Sequence, residues 1–190
     1  MNELLLNLAL WLDAQSASTQ LHESYYLYAW IESTHVLTLM LFLGMLFVID
    51  LRILGLAFPT LPATTLIQRL DRPMLIGFAI MVITGFILYY AIPVRTTQSI
   101  WFRIKVVLLI AAGINALLFR RAVRNTDARW DDGTRAPQRL RWGAGLSLTF
   151  WAGVVVCGRT IAYDWFDCHK ALPNFMYWAA GCVNELAAQP

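Results

Sequence analysis

Long apolar stretches separated by short polar segments dominate the pattern of this chain. About 20 predominantly apolar residues are needed to cross a bilayer as a helix. Stretches of that length occupy residues 28–49, 74–92, 101–119 and 142–163, and charged residues or prolines return at their ends. The pattern predicts an all-α fold, a four-helix transmembrane bundle that makes one integral membrane domain of residues 1–190.

The segments outside the four spans predict two smaller helices. Residues 4–12 are apolar but too short to span a bilayer, so they predict an interfacial helix with Trp11 as its anchor. The tail beyond the fourth span, residues 164–190, predicts one further short helix. Pro73 is expected to open the second span, because proline is tolerated in a first helical turn, and Pro93 is expected to close it.

The composition supports a membrane protein and argues against a soluble domain. Hydrophobic residues make up 58% of the chain and charged residues 14%, with a mean hydropathy of +0.55. A soluble domain carries about a quarter charged residues, so the lipid bilayer is the expected solvent for much of this surface. The net charge is +3, but the basic residues concentrate in one loop, which is typical of membrane topology. We therefore predict no nucleic-acid partner.

The distribution of arginine predicts the orientation of the chain. Loops rich in Lys and Arg stay on the cytoplasmic side, and the loop between the third and fourth spans is the richest. Alternation of four spans makes the loop between the first two cytoplasmic as well and places both termini on the outer side. The arginines of the rich loop are Arg120, Arg121, Arg124, Arg129, Arg135, Arg139 and Arg141.

Two of the three cysteines lie in the tail that this topology places outside. An outer compartment such as the bacterial periplasm is oxidising, so Cys168 and Cys182 are candidates for a disulfide. The alternative is a pair of free thiols in partly buried interfacial positions. Cys157 lies inside the fourth span and is expected to be a small buried residue. The cysteine spacing does not match a zinc pattern, and we predict no metal site from it.

Ionisable residues inside the spans are the candidate functional groups, because such residues are costly in a membrane. Glu32 and His35 are three apart and share a helix face near the outer end of the first span. Arg159 of the fourth span and Lys105 of the third fall at a similar depth, which predicts an outer polar layer of these four residues. The alternatives are an ion pair between Glu32 and Arg159 that only orients the helices, and a neutral, hydrogen-bonded His35.

A second polar layer is expected near the inner face of the membrane. It contains Asp50 and Arg52 from the first span and Asn115 from the third. Asp50 is expected to contact Asn115 or Arg120. The alternative is that these residues only mark the inner interface.

His35 is also a candidate cofactor ligand, because histidine is a common axial ligand of haem. The histidines are His22, His35 and His169, and the last three spans contain none. Two histidines on one haem b would need His22 or His169 to fold back onto His35; a single ligand or a site shared with another subunit is the other arrangement. Copper is the weaker variant. The sequence predicts no catalytic residues, since no phosphate-binding loop, nucleophile elbow or zinc-protease motif occurs.

A resemblance to known proteins rests on Ile-Glu-Ser-Thr-His-Val-Leu at 31–37, Gly44, Asp-Leu-Arg-Ile-Leu-Gly at 50–55, residues 102–115, and Cys-Gly-Arg-Thr-Ile-Ala-Tyr at 157–163. On these residues the chain resembles an uncharacterised family of bacterial four-helix integral membrane proteins. The resemblance implies a location in the bacterial inner membrane, with periplasmic termini under the orientation predicted above, and it carries no activity. The tail after the fourth span does not match the family pattern. The overall layout is distantly similar to four-helix membrane cytochromes and copper-resistance membrane proteins.

Three functional hypotheses follow. The first is a non-enzymatic subunit or accessory of a larger membrane assembly, with other membrane proteins or further copies of the chain as partners and with an aromatic-rich outer tail that could dock them. The second is a b-type haem redox protein that uses His35. The third is a small transporter or proton-coupled channel that uses Glu32, His35 and Arg159; an inverted repeat, common in transporters, is not visible in the sequence.

Overall fold

The structure is a computed structural model, and it describes residues 2–125, 131, 136–163, 168 and 173–182. Within these ranges the regular secondary structure is helical and contains no strand. The helices are α1 (Asn2–Asp13), α2 (Ser16–Glu23), α3 (Tyr25–Leu54), α4 (Ala63–Ala91), α5 (Pro93–Thr97), α6 (Ile100–Asn125), α7 (Gln138–Ile161) and α8 (Asn174–Ala180).

The helices α3, α4, α6 and α7 are long and apolar enough to cross a membrane. The prediction of an all-α protein with four spans is therefore confirmed. Large apolar side chains such as Leu37, Ile83 and Leu117 lie exposed on these helices, in numbers that a water-facing surface rarely carries. This is the surface expected of helices that face lipid.

The start of α4 differs from the prediction that Pro73 opens the second span. The helix begins at Ala63, and Pro73 lies in its interior. A proline inside a helix removes one backbone hydrogen bond and bends the axis, yet the helix continues through it. The earlier start has a tertiary cause, because the side chain of the distant Asp131 satisfies the first free N–H groups of α4. The N-terminal segment also differs, since it forms two helices, α1 and α2, where one was predicted.

The chain divides into two compact units. Unit 1 comprises Met1–Ser33, Thr84–Val107 and Val155–Pro190, and unit 2 comprises Thr34–Ile83 and Leu108–Val154. Each of the four long helices contributes one segment to each unit.

Unit 2 is built on two apolar clusters to which segments of α3, α4, α6 and α7 contribute. The first contains Ile53 and Leu140, and the second contains Phe42 and Trp151, whose ring centroids lie 4.8 Å apart. In lipid, helices associate through close van der Waals packing and not through the hydrophobic effect. The contact of α6 with α7 has this character, because a Cβ added at Gly153 would lie 2.8 Å from a methyl carbon of Leu108.

Unit 1 joins the short helices to ends of the long ones. Helix α1 packs against α5. The Ser18 hydroxyl donates a 2.8 Å hydrogen bond to the carbonyl oxygen of Tyr90. Tyr89 stacks on Phe102 with 5.5 Å between ring centroids, and its hydroxyl lies 2.9 Å from the Thr97 hydroxyl. These contacts fix α2 and the α4–α6 connection in one arrangement.

Candidate functional site

Asp50 is a buried carboxyl of unit 2, near the C-terminal end of the spanning helix α3. The residue is 4% exposed. Its carboxyl accepts a hydrogen bond from the hydroxyl of Ser147 on α7, which is 8% exposed. The Oδ2 atom has no hydrogen-bond partner among the described residues. Because nearly all buried polar atoms in proteins are paired, this oxygen marks the position as exceptional.

Arg52, two residues later, is buried as deeply but is well paired. It is 2% exposed, and its Nε donates a hydrogen bond to the carbonyl oxygen of Leu61. Its positive charge also acts on the carboxylate of Asp131. Arg52 therefore holds the α3–α4 connection to the segment that precedes α7.

Asp131 caps the N-terminus of α4. Its two carboxylate oxygens accept hydrogen bonds from the N–H groups of Ala63, at 2.6 Å, and Thr64, at 2.9 Å, and one of them also accepts from the Thr64 hydroxyl. Free N–H groups and the positive end of the helix dipole both favour a carboxylate there. Burial raises the pKa of this carboxyl, but the bonds from Thr64 and Ala63 and the charge of Arg52 outweigh it and hold the pKa below its ordinary value.

The remaining polar residues of unit 2 pair with groups on other helices. The side-chain amide of Asn115 donates a 2.9 Å hydrogen bond to the Gly143 carbonyl oxygen. Arg120 pairs with Asp71 at the surface. The hydrogen-bond donor described for Asp50 is the Ser147 hydroxyl, and its predicted contact with Asn115 or Arg120 stays a prediction. Asn115 turns to α7, where Gly143 has no side chain to cover its carbonyl.

The residues of the predicted outer layer fall in both units. Glu32, Lys105 and Arg159 lie in unit 1 and His35 lies in unit 2. The Arg159 guanidinium donates a 2.7 Å hydrogen bond to the Tyr163 hydroxyl and lies 4.8 Å from the centroid of that ring. Arg159 thus contacts the end of its own helix, and the Glu32–Arg159 ion pair stays a prediction.

Lys105 is a half-buried cation of unit 1. Its Nζ lies against α7, where a Cβ added at Gly158 would be 3.6 Å away. Its charge acts on the thiol of Cys157, which is buried and free as the sequence predicted. A Cβ at Gly158 would make only ordinary van der Waals contact with the ammonium group.

The histidines do not form a described cofactor site. His35 is half-buried on α3, and His22 is exposed and meets the ring of Tyr28 edge-on at 6.2 Å. His169 lies outside the described residues. Over the described ranges, no three His, Cys, Asp or Glu side chains are grouped so as to hold a metal ion. The haem and copper hypotheses for His35 stay predictions.

The candidate cysteine pair lies at disulfide distance in unit 1. The sulfur atoms of Cys168 and Cys182 are within bonding distance, and their Cα atoms lie 5.5 Å apart. The sulfur of Cys168 also lies 3.6 Å from the carbonyl oxygen of Gln98, beside the start of α6. The pair thus ties the end of α8 to the segment between α5 and α6.

Arg103 of α6 makes a second connection to the same tail, and nothing in its sequence neighbourhood marks it as a functional residue. Its Nη1 donates a 3.0 Å hydrogen bond to Oδ1 of Asn2, and the Asn2 amide donates to the carbonyl oxygen of Trp178 at 3.3 Å. Its Nε donates to the carbonyl oxygen of Thr97 at 3.4 Å. Gly181, with a φ of 76°, ends α8 in the left-handed conformation that favours glycine. The glycine after an aromatic run was the one sequence signal for this helix end.

Helix α8 presents aromatic side chains outward from this framework. Phe175 is 74% exposed and Trp178 is 69% exposed, and the two rings lie 6.5 Å apart. The described residues therefore contain two candidate functional features. One is the buried carboxyl of Asp50 in unit 2, and the other is the exposed pair Phe175 and Trp178, held in a fixed orientation in unit 1. No protein family model, no curated protein and no solved structure matches the chain.

Proposed function

We propose that this chain is a non-enzymatic subunit or accessory protein of a larger assembly in the bacterial inner membrane. Its partner is another integral membrane protein, and both termini and α8 lie on the periplasmic side. The four spanning helices support the membrane location. The arginine-rich loop between α6 and α7 supports the orientation, and the resemblance to bacterial four-helix membrane proteins supports the choice of membrane.

The observation that carries the proposal is the fixed presentation of Phe175 and Trp178 on α8. Both rings are exposed although the helix is held on several sides, by the Cys168–Cys182 pair and by the chain of contacts through Asn2 and Arg103. Aromatic residues dominate the binding energy of many protein interfaces. Holding them rigid before binding lowers the entropy cost of association.

A lipid-facing belt is the competing explanation, because Trp and Tyr gather at membrane interfaces. A belt requires only that the rings lie at the depth of the headgroups, and it does not require tertiary contacts that fix the helix. Helix α8 instead has its carbonyl at Trp178 bonded to Asn2 and its end fixed at Gly181. This degree of anchoring favours a protein partner over lipid headgroups.

The test is in-cell photocrosslinking with a benzophenone amino acid placed at Trp178. We expect a discrete adduct with one other membrane protein. The matched control is the same amino acid at Leu117, which is also exposed but lies on the spanning helix α6 and should crosslink mainly to lipid. An adduct of twice the chain mass would identify a second copy as the partner and contradict the proposal of a different subunit. Equal adducts at both positions, or none at Trp178, would assign the aromatic pair to the lipid interface.

A further inference from the structure

Asp50 is the one buried carboxyl whose surroundings leave an oxygen unpaired among the described residues. The side chain is buried, Ser147 donates to it, and Oδ2 has no hydrogen-bond partner in the part of the chain that the structure describes. An ionised carboxylate without a partner is very unfavourable in an apolar interior, and such groups respond by taking up a proton. Protonation removes the negative charge and turns one carboxyl oxygen into a hydroxyl, so the group needs fewer hydrogen-bond donors around it.

The residues next to Asp50 on α3 belong to an apolar cluster. These are its neighbour Ile49 and, one turn later, Ile53, and they share the cluster with residues of α4, α6 and α7. The residues of this cluster, including those packed against its edge, are Ile49, Ile53, Leu54, Ala63, Ile67, Leu70, Met74, Phe119, Ala122, Val123, Ala136, Leu140 and Ala144. None of them supplies a charge that would stabilise an ionised carboxylate.

The charged and amide groups of the surrounding helices are engaged elsewhere. Arg52 on α3 donates to Leu61 and faces Asp131. Asp71 on α4 pairs with Arg120 on α6 at the surface. The Asn115 amide on α6 donates to the backbone of α7, and α7 itself presents the neutral hydroxyl of Ser147. No described cation is therefore placed to neutralise Asp50.

We propose that Asp50 is a proton-binding site of unit 2, near the C-terminal end of α3, and that Ser147 donates to the carboxyl when the proton is bound. The bound species is a proton and not a metal cation. A hard cation such as Ca²⁺ is held by roughly six to eight oxygen ligands, whereas the described residues bring one carboxyl and one hydroxyl together here. The inference does not depend on the subunit function proposed above.

Infrared difference spectroscopy of the full-length protein in lipid at pH 7 tests the site. We expect a carbonyl band of a protonated carboxyl that Asp50→Asn removes. The matched control Asp71→Asn removes an exposed, paired carboxyl and should leave the band unchanged. Ser147→Ala should shift the band to higher frequency, since it removes one hydrogen bond. If Asp50→Asn removes no such band, or removes a carboxylate band instead, Asp50 is ionised and the proposal is wrong.

A second measurement covers the case in which Asp50→Asn fails to fold. Hydrophobic carbodiimides add to protonated carboxyls in membranes, so wild-type protein treated with dicyclohexylcarbodiimide should carry the adduct at Asp50 and not at Asp71. Labelling should fall as the pH rises and should be the same in sodium and choline buffers. Protection by sodium alone would identify a cation site and overturn the proton assignment. Absence of label together with absence of the infrared band would also overturn it.

Discussion

The guanidinium of Arg103 occupies the space that any side chain at Gly181 would need. A Cβ added at Gly181 would overlap the guanidinium group, and the backbone there has a φ of 76°. The end of α8 therefore has two independent reasons to carry glycine. The contact also explains how a seven-residue helix, too short to be stable alone, is held in one orientation.

Replacing Gly181 by alanine should disrupt this docking. A non-glycine residue in the left-handed region costs about 1–3 kcal/mol, and the overlap with Arg103 adds to that cost. We expect the free energy of unfolding, measured by denaturant titration of tryptophan fluorescence in detergent, to fall by at least about 1 kcal/mol. The control is Gly145→Ala, since nothing lies within 4 Å of a Cβ at that helical position. An unchanged Gly181→Ala protein would contradict the described packing of α8.

The Cys168–Cys182 pair should be oxidised in the cell and should stabilise the protein. The two residues are 14 apart in the sequence, and a disulfide that closes a loop of this size contributes about 3 kcal/mol in the chain-entropy model. In intact cells a maleimide should label neither Cys168 nor Cys182 until a reductant is added. Reduction should also lower the midpoint of unfolding. Buried Cys157 serves as the internal control. Free thiols at 168 and 182 before reduction would argue that the tail faces the cytoplasm.

The Asp131 cap on α4 should make the free energy of unfolding depend on pH in the acid range. A carboxyl whose pKa is lower in the folded than in the unfolded state adds stability that is complete above the unfolded value of about 4 and is lost as the pH falls through the lower folded value. Asp131 is such a group. Asp131→Asn should lose about 1 kcal/mol at pH 7, and the difference from wild type should narrow below about pH 4. Asp71→Asn, which breaks an exposed pair, should change stability much less. A constant difference across the pH range would exclude the charged cap.

The haem hypothesis for His35 has a direct optical test. Protein expressed with ample haem and purified in detergent should show a Soret peak and reduced α and β bands if His35 is an axial ligand. His35→Ala should abolish those bands, whereas His22→Ala tests whether the second ligand comes from α2. A flat visible spectrum of the wild-type protein would contradict the hypothesis.

Apolar length alone predicted the four long helices, because in lipid each backbone polar group must be bonded within its own segment. It did not predict where α4 begins. The cap comes from Asp131, which lies 68 residues beyond Ala63, and local sequence carries no sign of a partner that distant. Pro73 then gave a misleading local signal for the helix start.

The polar residues inside the spans were identifiable by type, but their partners were not. Asp50 and Asn115 stand out because charged and amide groups are rare in a membrane. Their partners are the Ser147 hydroxyl and the Gly143 carbonyl oxygen. Hydroxyls and backbone carbonyls occur on every helix. Which of them faces the Asp50 carboxyl or the Asn115 amide depends on how each helix is rotated about its axis. The hydrophobic pattern fixes that rotation only weakly, because lipid-facing and buried positions are both apolar.

Extraction in a mild detergent followed by native mass spectrometry tests the central claim that this chain is a subunit of a larger assembly. We expect one dominant complex that contains this chain and a different integral membrane protein. Trp178→Ala should release the partner, whereas Leu117→Ala should not. A stable monomer free of partner and cofactor, recovered in the same way from cells that express the chain at its natural level, would contradict the account.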